Sequence, residues 1–91
     1  MRLRRCILEH IYEQFTGLPY GQTDIGQLAD LCGAEPKAMN WNLVYLEKCG
    51  LIELAKAFDS PPFVACSASI TAAGIDLVED AIAFKKRFPV R

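Results

Sequence analysis

The sequence predicts a small α+β domain that is mainly α: a three-helix core, a two-stranded β-hairpin and a closing C-terminal helix. Three observations lead there. Apolar residues recur at helical period within residues 3–15 and 36–49. Helix-boundary residues stand at Asp24, Gly33, Pro36 and Gly50. Two strand-like runs, 51–58 and 63–70, flank the turn sequence Asp59-Ser60-Pro61-Pro62. With 91 residues there is material for one core, so residues 1–91 are expected to form a single domain.

The first helix carries one apolar stripe through Leu3, Ile7, Leu8, Ile11 and Phe15. TGLPYGQT, with two glycines and a proline, ends it and supplies a loop or short extended segment. Asp24-Ile25-Gly26-Gln27 has the form of a capping box, with Asp24 accepting from a first-turn amide and Gln27 reaching back. A short second helix follows through Ile25, Leu28, Ala29, Leu31 and Cys32, and Gly33 permits a sharp turn. Pro36 suits the first turn of a third helix, where its missing N–H would be unpaired anyway.

Steps of about 100° along that third helix put Met39, Asn42, Leu43, Leu46 and Cys49 toward the core, and Lys37, Trp41, Val44, Tyr45 and Lys48 outward. Gly50 is placed for a left-handed C-terminal cap. In the second hairpin strand Val64, Cys66, Ala68 and Ile70 alternate onto one face. Thr71 can cap a last helix spanning 71–88, which Pro89 cannot continue. Ile82, Phe84 and Phe88 are more apolar than a free end requires. They point to packing on a second copy, or to a longer natural protein of which this is the N-terminal part.

Composition excludes several classes. At 52% hydrophobic and 23% charged the chain is a folded globule, and no apolar run approaches the length needed to cross a bilayer. The expected setting is the cytoplasm. Cys6, Cys32, Cys49 and Cys66 are widely spaced without a C-x-x-C pair, so they read as small apolar residues in a reducing compartment, and no metal site is expected. His10 reads as an edge residue. With one histidine, no nucleophile elbow and no phosphate loop, neither an enzyme nor a cofactor is expected. The net charge of −1 hides an uneven layout: residues 1–5 and 85–91 carry seven cations and no acid, while 6–84 hold eleven acids against Lys37, Lys48 and Lys56. That body counts against strong phosphate binding, and the basic ends are either solvated tails or phosphate contacts.

DIGQLADLCGAEPKAMNWNLVYLEKCGLI, followed by SITAAGIDLVED, resembles the winged helix-turn-helix superfamily, including multiple-antibiotic-resistance-type and arsenic-type repressors and related bacterial and phage proteins. The resemblance covers nearly the whole chain, with the helix-turn-helix at 24–49, the wing at 51–70 and the C-terminal helix at 71–88. It implies sequence-specific binding of duplex DNA as a transcriptional regulator or its DNA-binding domain, with recognition helix 36–49 in the major groove. By position, Lys37, Asn40, Trp41, Val44 and Tyr45 would face the groove, Lys48 would lie further from the bases, and Lys56 and Ser60 would belong to the wing. Asn40 would bond adenine through both ends of its amide, and Lys37 a guanine or phosphate. A homodimer through the first and last helices, or a C-terminal partner domain, fits the same plan. Two departures matter: Glu35 stands at the start of the recognition helix and repels DNA, and the wing AKAFDSPPFVA has one lysine against one aspartate. A protein-interaction module using the same Trp41/Tyr45 face is therefore the alternative, and Trp41 packed under the N-terminal loop or a partner domain is a third.

Overall fold

The structure, a computed structural model, describes residues 2–56 and 61–89. Helix α1 spans Arg2–Gly17, strand β1 Thr23–Asp24, helix α2 Ile25–Cys32 and helix α3 Pro36–Lys48. Strands β2, Ile52–Ala55, and β3, Ser67–Ile70, follow, and then helices α4, Ala72–Glu79, and α5, Ala81–Arg87. The sheet is antiparallel in the order β1-β3-β2, with Ile52 opposite Ile70 on one side and Thr23 opposite Ala68 on the other. It is a winged helix, as the sequence predicts.

The boundaries follow from local chemistry. Asp24 accepts the Gln27 N–H at 2.9 Å and so caps α2, although the Gln27 side chain makes no return bond among the described residues. Gly33, at φ 62°, ends α2 and turns the chain into α3. At the far end of α3, Gly50 at φ 75° donates to the Glu47 carbonyl at 2.9 Å while Leu51 N–H reaches Leu46 O at 3.1 Å. That paired closure satisfies carbonyls the helix would otherwise leave open and delivers the chain into β2. Thr71 Oγ1 accepts from Gly74 N at 3.1 Å and donates to Gly50 O at 2.6 Å, so one hydroxyl caps α4 and ties it to that turn.

One core joins the layers. Ile7, Leu8 and Ile11 of α1 meet Ile25 and Leu28 of α2, Met39, Leu43 and Leu46 of α3, and Ile52 of β2, all essentially excluded from solvent. Each such side chain contributes roughly 1.5–3 kcal/mol relative to exposure. Tyr12 links α1 to α4 by donating to the Glu79 carboxylate at 2.7 Å, and that bond raises the phenol's pKa above its usual value.

Five expectations need correction. The segment before α2 contributes a third strand, β1, because Thr23 and Asp24 find an open edge on β3. Strand β3 starts at Ser67, not near Phe63, and its buried residue is Ala68; in the segment before it Ala65 is buried while Val64 and Cys66 are exposed. Val64 N–H is held by the α3 side chain Asn40 instead of a ladder carbonyl, which takes residues 62–64 out of the sheet. The single helix over 71–88 is two helices, broken at Asp80 (φ −91°, ψ 92°), whose carboxylate accepts from Ala83 N at 3.1 Å and so starts α5 afresh. That break turns Phe84 and Phe88 into the chain's own core, where they do not await a second copy; Ile82 remains 83% exposed. Finally, Cys6 and Cys32 are not separate apolar residues. They form a disulfide with Cα atoms 6.0 Å apart, joining α1 to the end of α2, while Cys49 and Cys66 are free thiols.

Candidate nucleic-acid interface

Helix α3 settles on the core through Met39, Asn42, Leu43 and Leu46, and these four buried residues fix which side is left for a partner. The outward side carries Lys37, Trp41, Tyr45 and Lys48, all exposed, with Val44 half-buried between them. Trp41 keeps 74% of its surface accessible, so packing within its own subunit is ruled out. Asn40, Trp41, Val44 and Val64 line a shallow apolar groove of about 340 Å³ between α3 and the segment that leads into β3.

Asn40, expected at a base edge, makes two contacts within the chain itself. Its Nδ2 donates to the Pro62 carbonyl at 3.0 Å, and its Oδ1 accepts from Val64 N at 2.9 Å. These bonds commit one N–H and one lone pair of the amide and fix its orientation toward the wing, leaving a second N–H and a second lone pair. The two bonds tie residues 62–64, leading from the wing into β3, to the flank of α3. Of the two expected wing residues, Lys56 is exposed and lies 3.9 Å from Glu47 of α3, a weak surface pair that partly neutralises its charge. Ser60 falls outside the described residues. Glu35 precedes Pro36 without a side-chain capping bond and is exposed at the mouth of α3, as the sequence suggests.

Arg4 belongs to this face although the motif does not include it. Its Nε donates to Asn42 Oδ1 at 2.8 Å, and its guanidinium carbon lies 3.6 Å from the centroid of the Tyr45 ring. Asn42 in turn donates to the Ala38 carbonyl at 2.7 Å, so a buried amide on α3 holds an arginine of α1 against the recognition helix. The signal was the cluster of basic residues at the N-terminus; periodicity alone could not say which helix it would meet. Arg5 has a different task. It donates to the Phe88 carbonyl at 3.0 Å, lies 3.6 Å from Glu9 and covers the Phe84 ring at 4.4 Å, which pins α5 to α1.

Away from this face, the ligand atoms of Cys6, His10 and Cys32 lie within 4.8 Å of one another. His10 therefore does have a cysteine at ligand spacing, one helical turn earlier, contrary to its reading as an isolated edge residue.

No helix among the described residues is long and apolar enough to cross a membrane. No protein-family model matches the sequence, and no curated protein matches it. Among solved structures the chain is similar to a point mutant of MepR from a multidrug-resistant S. aureus clinical isolate, with a TM-score of 0.71 and 16% identity over 96% of this chain. The match covers 58% of MepR, so the chain spans little more than half of that protein's length. At that identity the shared property is the fold: helices and a three-stranded sheet in winged-helix order.

Proposed function

We propose that the chain binds duplex DNA, as a transcriptional regulator or as the DNA-binding part of one, with α3 in the major groove and the wing along the neighbouring backbone. The observation that carries this is the uncovered side of α3: core residues secure its back, the wing is tied to its flank, and Lys37, Lys48 and Arg4 stand around an exposed Trp41 and Tyr45. In winged-helix binders that surface is the one that meets DNA. On this reading Lys37 contacts guanine or phosphate, Lys48 lies further from the bases, at the backbone, Arg4 stiffens Tyr45, Trp41 and Val44 make apolar contacts in the groove, and Asn40 sets the wing's distance. Lys56 and Ser60 act from the wing. The reading assigns no catalysis and a cytoplasmic setting, and a second copy supplies the other half-site, through the first and last helices or a partner domain beyond them.

Charge sets the expected strength. Three cations near the groove give a salt slope of about −2.7 and a loss of roughly 40-fold between 50 and 200 mM salt; two copies double the slope and lose about 2,000-fold. Random-site selection on duplex DNA at both salt concentrations is the test. A recovered motif, with Lys37→Ala reducing the slope by about 0.9 and Trp41→Ala relaxing sequence preference, supports the reading. Failure to enrich any duplex at 50 mM salt overturns it.

A second reading is favoured by one specific feature, the apolar groove beside Trp41. A protein-interaction module using this face shows no salt-dependent duplex binding, and its self-association or partner capture is lost in Trp41→Ala or Tyr45→Ala.

A further inference from the structure

We propose that Cys6, Cys32 and His10, with the two cysteines reduced, form a three-ligand site for a thiophilic divalent cation of the zinc class. Cys6 and His10 are four residues apart on α1 and so project from the same side of the helix, while Cys32 arrives from the last position of α2. All three are half-buried, and their ligand atoms are mutually within 4.8 Å. A tetrahedral zinc ion with sulfur at about 2.3 Å and nitrogen at about 2.0 Å needs donors separated by roughly 3.5–3.8 Å, inside the 4.8 Å that already encloses the three ligand atoms. The two cysteine Cα atoms, 6.0 Å apart, suit a shared ion as well as they suit a covalent bridge.

The donor set is selective. Two thiolates and an imidazole favour zinc-like ions over magnesium or calcium, which take oxygen. A disulfide makes no use of His10, yet the imidazole is present in the same cluster, with Nδ1 3.8 Å from the Glu13 carboxylate. Both cysteines line an open cavity of about 530 Å³ with Leu3, Ala34 and Glu35, which gives an ion a path to the sulfurs, while His10 approaches from a separate cavity that it shares with Glu13 and Gln27. The same two sulfurs cannot hold an ion while bonded to each other. Opening the bridge takes two electrons from a phosphine, which leaves as its oxide while water supplies the oxygen and both protons, and binding of the cation then displaces both thiol protons.

This site stands apart from the DNA reading and is tested without DNA. The whole chain, reduced with a phosphine and kept anaerobic, is titrated with Co²⁺ and then with Zn²⁺. The expected result is one ion per chain, a thiolate-to-cobalt charge-transfer band, and displacement of cobalt by zinc. Cys6→Ser and Cys32→Ser remove the band, while His10→Ala weakens binding at least about tenfold, no less than loss of an outer-shell partner does. The Cys49→Ser/Cys66→Ser double variant retains full binding, and the disulfide form of the wild-type chain shows no band. Absence of the band in the reduced wild-type chain overturns the proposal. So does a band that survives in Cys6→Ser and Cys32→Ser but disappears when Cys49 and Cys66 are replaced.

Discussion

Replacement of Asn40 by alanine separates two roles that the motif alone would confuse. In the structure this side chain makes two hydrogen bonds, to Pro62 O at 3.0 Å and from Val64 N at 2.9 Å, both near the surface. Each such bond contributes about 0.5–1.5 kcal/mol net, and exposure favours the lower half of that range, so Asn40→Ala is expected to destabilise the domain by roughly 1–2 kcal/mol. For a domain of this size that is a fall in Tm of about 5–15 °C. Asn40→Asp keeps an acceptor for the Val64 N–H but brings no donor to the Pro62 carbonyl, and should lose about half as much. Thermal and urea unfolding followed by circular dichroism check both. On DNA the tether reading expects Asn40→Ala to weaken binding evenly across sequences, because the wing is displaced. A base-reading asparagine would instead lose about 1–3 kcal/mol of discrimination at one A·T pair. An alanine variant as stable as the wild type, with its loss confined to one base pair, would refute the tether.

Other perturbations address the frame around the site. Gly74→Ala sets a Cβ against the Leu51 carbonyl and 2.7 Å from Ile70 Cγ1, so overpacking of roughly 1–3 kcal/mol should exceed the helix-propensity gain of about 1 kcal/mol; urea unfolding showing a more stable variant would contradict this. Reducing the Cys6–Cys32 bridge, with a sequence separation of 26, releases chain entropy worth about 3–4 kcal/mol, which thermal unfolding with and without reductant measures. The buried Thr23 hydroxyl has no hydrogen-bond partner among the described residues, and Thr23→Val should therefore raise stability by about 1 kcal/mol in the same assay.

Sequence periodicity and capping chemistry are strongest where a segment's fate is decided within its own few turns. The stripe of α1, the Asp24 and Thr71 caps, the glycine turns at 33 and 50, and the buried side of α3 were all legible for that reason. What could not be read depends on residues distant in the chain. Strand β1 exists only because β3 has a free edge, and the early end of β3 is lifted away by a side chain 24 positions earlier. The break at Asp80 is the closest case. Asp80 followed by Ala-Ile-Ala carries a capping signal, but the continuous apolar pattern through Ile75, Leu77, Val78 and Ile82 outweighed it.

The candidate site depends most on the polar residues of α1, which an amphipathic reading treats as solvated. Successive positions reach different elements: Arg4 touches Asn42 and Tyr45 of α3, Arg5 holds Phe84 and Phe88 at α5, Cys6 bonds Cys32 at the end of α2, and Tyr12 donates to Glu79 of α4. The apolar stripe Ile7, Leu8 and Ile11 supplies burial, but burial is non-directional and resists small rotations of the neighbouring helices only weakly. Hydrogen bonds, a covalent bridge and a stacked guanidinium are directional, and they restrict the angle at which α3 presents Lys37, Trp41 and Lys48. Within the N-terminal basic cluster it is Arg4 that reaches α3: it is fixed on Tyr45 and Asn42, so its charge is delivered beside that helix at a defined position. A basic tail free in solvent would add to phosphate attraction without fixing orientation. On the DNA-binding reading the same charge does both, so that a chain with an acidic body still offers a directed cationic edge at one helix.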